Sequence, residues 1–170
     1  TKVPPYLKFC VALVLAADCE PTNDDNLIDL GDLSTARASR GSSQMIAATN
    51  ADFGLAIAAY GTTMTSGNNI IPALATPTVS APGNAQFGFN LRNNSDPDIG
   101  EEPSGGGVAM PTAAYNIPNR YVFNSGDIIA TSPAVTDTRK FTSSYVVNIS
   151  SGQPPGVYTA TLTYICTATF

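Results

Sequence analysis

The chain ends on GVYTATLTYICTATF, Gly156 to Phe170, and the alternation in this stretch constrains the fold more than any other feature. Tyr158, Ala160, Leu162, Tyr164, Cys166, Ala168 and Phe170 fall on one side of an extended chain. Thr159, Thr161, Thr163, Thr167 and Thr169 fall on the other, with Ile165 the one interruption. A period of two is the signature of a β-strand with one face buried. Threonine and aromatic residues suit such a half-buried pleated surface. At ~3.3 Å per residue the run would reach ~45 Å, longer than a usual strand.

The same period recurs upstream. Phe141, Ser143, Tyr145, Val147 and Ile149 alternate with Thr142, Ser144, Val146 and Asn148, and SSGQPPG connects this run to the last one. Two alternating runs joined by a short Gly/Pro loop predict a β-hairpin. In QFGFNLR, Phe87, Phe89 and Leu91 point inward, while Gln86, Gly88, Asn90 and Arg92 point outward. FGLAIAAY, Phe53 to Tyr60, is apolar on both sides and predicts a central strand. LIDLGDL, Leu27 to Leu33, and NRYVFNSGDIIA, Asn119 to Ala130, supply further strands. SSQMIAATNAD offers at most one helical turn. Clusters such as TSGNN, SAPGN, NNSDPD and PSGGG mark turns between these runs. The sum predicts an all-β protein, an antiparallel immunoglobulin-like or jelly-roll sandwich of eight to ten short strands. The stretch Asn93 to Pro118 is long for a loop in a compact domain, which marks it as functional or mobile.

The N-terminal stretch TKVPPYLKFCVALVLAADC differs from the rest. Val3-Pro4-Pro5 enforces an extended entry. Leu7, Phe9, Val11, Leu13 and Leu15 then share one face, and Cys10, Ala12 and Val14 make the other apolar as well. A strand apolar on both faces requires cover on both. Residues 1–18 are therefore expected to form an N-terminal arm, and residues 19–170 the β-sandwich domain. The arm is either the first strand of its own sandwich or a polymerisation strand donated to the groove of another copy. Cys10 and Cys19 are a candidate disulfide. A straight strand would hold them ~30 Å apart, so a bridge needs the chain to arc between them. Pairing of either with Cys166, or three free buried thiols, are the alternatives.

Charged residues make up only 12% of the chain, against roughly 25% for an ordinary soluble domain. Eight basic and 13 acidic residues leave a net charge of −5 with no basic patch, which argues against nucleic acid as a partner. Histidine is absent, removing the Ser-His-Asp triad, the Cys-His pair and most zinc sites. No run reaches the ~18 apolar residues of a membrane helix, so no membrane span is expected. A start at Thr1 suggests a processed mature chain.

The candidates for chemistry are weak. Asp96, Asp98, Glu101 and Glu102 offer oxygen ligands for calcium without an EF-hand spacing, and a solvated loop is the default. Asp24, Asp25, Asp29 and Asp32 read as a solvated face. Lys8 or Lys140 could form an isopeptide bond with an asparagine, although nothing in the spacing favours it. Asn93 in NNS and Asn148 in NIS match the glycosylation sequon. No nucleophile–base pair is evident, so no catalytic residue, cofactor or metal is expected and the protein reads as a non-enzyme.

The motifs VPPYLKFC…DC, IDLGDLST, SQMIAATNA, TTMTSGNNIIPAL, APGNAQFGFNLR and YVVNISSGQPPGVYTATLTYICTATF together resemble uncharacterised secreted β-rich surface proteins of very small bacteria. More loosely, the ending QPPGVYTATLTYICTATF is similar to the last strand of donor-strand-exchange pilins and spore-coat-type pilin subunits. That resemblance implies an immunoglobulin-like fold completed by a neighbour's terminal strand, although Cys166 departs from the pattern. The expected function is a structural subunit of an extracellular filament, pilus or cell-surface layer, a homopolymer joined through the N-terminal strand. The alternative is a secreted adhesin module binding a host or glycan surface through Asn93 to Pro118.

Overall fold

The computed structural model describes residues 3–16, 18–20 and 26–170. The alternating runs form twelve strands: β1 (Leu7–Ala12), β2 (Ser39–Thr49), β3 (Leu55–Gly61), β4 (Thr65–Ser66), β5 (Asn69–Ile70), β6 (Gln86–Asn90), β7 (Asn94–Ser95), β8 (Asp98–Ile99), β9 (Met110–Pro111), β10 (Asp127–Ser132), β11 (Thr136–Asn148) and β12 (Leu162–Ala168). Two four-stranded antiparallel sheets, ordered β1-β2-β11-β6 and β12-β3-β10-β9, pack into a sandwich. Two short ribbons, β4-β5 and β7-β8, decorate it. One 3₁₀ turn, Ala113–Tyr115, is the sole helical element among the described residues.

Strand parity follows the sequence. Met45 and Ala47 of β2, Phe141, Tyr145 and Val147 of β11, Phe87 and Phe89 of β6, and Leu55, Ile57 and Ala59 of β3 form one buried core. Leu162, Tyr164 and Cys166 of β12 pack against it, with Thr163 and Thr167 turned to solvent. Phe89 sits at the centre, 5.0 Å from the Tyr115 ring and 5.6 Å from the Tyr145 ring. β3 is central, between β12 and β10.

Four expectations are corrected. First, β11 and β12 are not a hairpin: β11 pairs with β2 and β6, and β12 with β3 in the opposite sheet. The connector 150–156 crosses between sheets, so the apolar faces of its two flanking runs meet across the core rather than lie side by side. Second, SQMIAAT is strand, not a helical turn. Third, Gln86 and Asn90 of β6 are buried, because the segment around Tyr121 and Val122 lies against this strand. Fourth, of the two readings of Asn93 to Pro118, functional or mobile, the mobile one gives way to a segment held by its own hydrogen bonds. Asn90 and Asn94 exchange side-chain hydrogen bonds at 2.7 and 2.9 Å, and Asn94 Nδ2 donates to the carbonyl of Ile99. Arg92 bonds Glu102 at 2.8 Å and the carbonyl of Asn116 at 3.0 Å.

The N-terminal segment is an edge strand of its own sandwich, not a detached arm. β1 pairs antiparallel with β2, from Leu7 opposite Thr49 to Ala12 opposite Gln44. Phe9 packs on the main core, while Ala12 and Leu15 join Ile46 in a second cluster on the outer face of the same sheet. Cys10 and Cys19 are disulfide-bonded, with Cα atoms 5.9 Å apart, and pack on that second cluster. The arc that the bridge demands bends the chain at Leu13 and Val14. Leu15 consequently swings away from the face of Leu7, Phe9 and Val11. Phe9, Ala12 and Leu15 thus find cover inside one protomer, whereas Leu7, Val11 and Val14 stay exposed. The cross-link closes a short loop, so replacing Cys10 and Cys19 together by alanine is expected to cost ~2–3 kcal/mol of stability in urea unfolding.

Candidate functional site

β1 and β12 are edge strands of opposite sheets and approach each other on the same side of the sandwich. On this side the inter-sheet space opens into a cleft of ≈ 1070 Å³. Its floor is the core itself, reached at Met64, Phe87, Tyr145 and Ile149. One wall is the segment 26–33. The other runs from Gln153 through Leu162 into β12.

LIDLGDL was expected to be a strand. It is extended and alternating but belongs to neither sheet. Ile28, Leu30 and Leu33 pack on the core, whereas Leu27 and Asp29 face outward. The space for Ile28 and Leu30 exists because β1 ends opposite Gln44, leaving residues 39–43 of β2 without a neighbour on that side. It also exists because position 41 is glycine: a Cβ there would collide with Ile28 Cγ2 and approach Leu30 Cδ2 to 3.1 Å. Among the described residues, the main chain of residues 28–33 makes no main-chain hydrogen bond. Gly31 N donates to the Asp29 carboxylate at 2.8 Å. Opposite, β12 is paired along one edge only, to β3. The cleft is therefore flanked by two lengths of extended backbone with unspent donors and acceptors.

Its rim is apolar and exposed. Val157 is 82% exposed, Leu27 72% and Val11 43%, and all three line the opening. Asp29 and Asp32 are its charged residues among those described, and no lysine or arginine lines it.

The deep end of the floor is polar. Ser43 and Ser143 face each other across β2 and β11, both inward. Tyr145 hydroxyl lies 2.8 Å from Ser43 Oγ and hydrogen-bonds the Tyr164 hydroxyl, which also donates to Ser143 Oγ at 3.3 Å. Tyr164 comes from the opposite sheet, so this cluster pins the two sheets together beneath the cleft. A buried hydroxyl must be hydrogen-bonded to offset its desolvation. Burial holds both phenols neutral: it pushes Tyr145 above the ordinary 10.0 and Tyr164 well above it. Burial likewise pushes the Cys166 thiol up to about 11.

The residues singled out by sequence are distributed rather than assembled. Leu7, Phe9 and Val11 lie on β1, and Leu13 and Leu15 follow it; of the five, Val11 and Leu13 reach the cleft. Glu102 is taken by Arg92, and Glu101 lies 3.8 Å from Lys140 Nζ. Among the described residues no three carboxylates or thiols converge as a metal site. Asp24 and Asp25 lie outside the described residues. Asn148 is buried, its amide nitrogen donating to Ser80 and Gln86, so that sequon is closed to modification; Asn93 is exposed. The second wall of the cleft and the Ser–Tyr cluster were missed. The serines at inward positions 43 and 143 were the signal available, since a polar residue facing a core needs a partner there. The chain matches no family model, and no curated protein matches it.

Replacing Tyr164 by phenylalanine removes the link between the sheets and strands Ser143, so a loss of ~1–2 kcal/mol is expected in urea unfolding. The pH dependence follows from the same burial. Raised folded-state values mean that the neutral forms are favoured in the fold. This contribution is complete below the unfolded values, 9.0 for the thiol and 10.0 for the phenols, and is lost as pH rises through the folded ones. The urea midpoint is expected to fall above about pH 9, first through Cys166 and then through Tyr145 and Tyr164.

Proposed function

We propose that this protein is a structural subunit of an extracellular filament, pilus or surface layer, and that protomers join by adding a strand of one copy to the open cleft of the next. One observation carries the reading: two facing lengths of unpaired extended backbone, residues 28–33 and the free edge of β12, stand over an apolar floor. A compact ligand spans only part of such a length of backbone. An extended peptide bonds to both walls and sends alternate side chains to the floor. Unpaired edges are a liability that folded proteins normally cover, so two of them around an exposed apolar rim point to a partner.

The donor that fits is the N-terminal segment of a neighbouring copy. Residues 1–17 carry Lys2 and Lys8 and no acid, opposite in charge to the rim with Asp29 and Asp32. Its apolar alternation suits the floor. To be donated it must exchange its pairing with β2 for the neighbour's cleft, moving together with the loop that Cys10–Cys19 closes. The disulfide supports an oxidising, extracellular setting. The low charge content supports a surface largely covered by neighbours. No observation favours Asn93 to Pro118 as a glycan-binding loop, since Asn94, Asn116 and Asn119 are spent on holding the loop itself.

Val157→Arg is the direct test. Val157 is almost fully exposed, so the change should alter stability by less than about 0.5 kcal/mol. It should also abolish concentration-dependent assembly in light scattering and negative-stain microscopy. Filaments or sheets formed by the variant as readily as by the native chain would overturn the reading.

A further inference from the structure

The apolar alternation of the N-terminal segment runs further than the strand it forms. β1 stops at Ala12 opposite Gln44, yet Leu13 and Leu15 continue the inward parity of Leu7, Phe9 and Val11. Extended by three residues in the same register, the strand would set Leu13 opposite Ser43 and Leu15 opposite Gly41. Among the described residues that stretch of β2 has no partner strand on this side. Nothing local calls for a bend instead: residues 10–17 contain no Gly, Pro, Asn or Asp, the residues that make turns. Cys19 has a φ of 71°, a left-handed conformation that a side chain disfavours. The bridge to Cys10 imposes the bend. In the turned-away chain Leu15 N–H donates to Gln44 Oε1 at 2.8 Å, and Gln44 Nε2 donates in turn to Thr142 Oγ1 at 3.3 Å.

The inner face at Gly41 is meanwhile held by a substitute. Ile28 and Leu30, spaced like Leu13 and Leu15, lie over it. Their segment brings apolar bulk but, among the described residues, no main-chain hydrogen bond to β2. A paired strand at the same place would bring both, satisfying backbone groups that are now left unspent. The triplets LVL, 13–15, and IDL, 28–30, thus compete for one place. The first is favoured as soon as the bridge no longer holds it away.

We infer that the Cys10–Cys19 disulfide is a redox switch on the cleft. Oxidised, it holds the cleft open. Reduced, it lets residues 13–15 zip onto β2 at 41–43, displace Ile28 and Leu30, and close the inter-sheet space. A dithiol opens the bridge by exchange: two electrons and two protons pass to the two Sγ atoms, giving two thiols, and the reagent leaves as a disulfide. Both cysteines are only half-buried and so within reach of such a reagent. Leu13 already lines the cleft, which keeps the movement there short. The switch belongs to the single protomer. One consequence rests on the reading of the cleft as a strand receptor: the closed form neither takes a neighbour's strand nor releases its own.

The test is nuclear magnetic resonance of the full chain, at a concentration where light scattering shows monomer, with and without dithiothreitol. In the oxidised chain, Overhauser contacts should join the Ile28 methyl groups to Gly41. In the reduced chain these should vanish, replaced by main-chain contacts of Leu13 with Ser43 and of Leu15 with Gly41. The amides of residues 41–43 that point to the open edge should then exchange at least about tenfold more slowly. Cys10→Ala with Cys19→Ala should reproduce the reduced pattern without reductant, which separates the bridge from the free thiol of Cys166. Ile28 still on Gly41 after reduction overturns the proposal. So does loss of the fold on reduction, since the switch needs a sheet to close upon. Neither result depends on assembly, so failure of the strand-receptor reading and failure of the switch are read separately.

Discussion

The long antiparallel pairing of β2 with β11 is the constraint on which the rest of this structure depends. From Arg139 opposite Ala47 to Val147 opposite Ser39, it sets which side chains face the core and which face outward. Met45, Phe141 and Tyr145 go in; Gln44, Ile46 and Thr142 go out. A slip of one residue would exchange the two sets, burying the wrong face throughout. The Ser43–Tyr145–Tyr164–Ser143 cluster depends on the inward set. The Gln44–Thr142 contact and the apolar patch at Ile46 depend on the outward one.

Both edges of that pair are then treated differently. β6 flanks β11 and is itself covered, by bridges to Ala73 and Val122. β1 flanks only the second half of β2, because the disulfide turns the chain away after Ala12. The uncovered half, residues 39–43, is served by Ile28 and Leu30, which deliver apolar bulk without backbone pairing. This substitution fills part of the inter-sheet space with apolar side chains while leaving hydrogen-bonding groups unspent, and so shapes the cleft. The disulfide thus closes the outer cluster and, by ending β1 early, opens the inter-sheet space.

The N-terminal segment shows how far apolar patterning can be taken. Its two greasy faces require burial, but not burial by a neighbour: the main core takes Phe9, and a small outer cluster takes Cys10, Ala12 and Leu15. What this protomer leaves open is the outer part of that segment, at Leu7, Val11 and Val14, and backbone at the cleft walls. Side-chain hydropathy carries no record of the latter, since every residue except proline contributes the same N–H and C=O whatever its side chain.

The all-β class, the inward and outward sets of β3, β6, β11 and β12, and the requirement for an arc between Cys10 and Cys19 were determined by the sequence alone. These are local matters, governed by a side-chain period of two and by the reach of a disulfide. Which strands pair was decided only in three dimensions. SSGQPPG serves a hairpin or a crossing equally well, and apolar faces on both of its flanks are better buried against each other than side by side. The extended run at 28–33 has the pattern of a strand and became a cleft wall because its side chains lie over the inner face of β2, at Gly41, while its main chain pairs with no strand. Pairing is a relation between distant segments, and neither period nor composition encodes the partner.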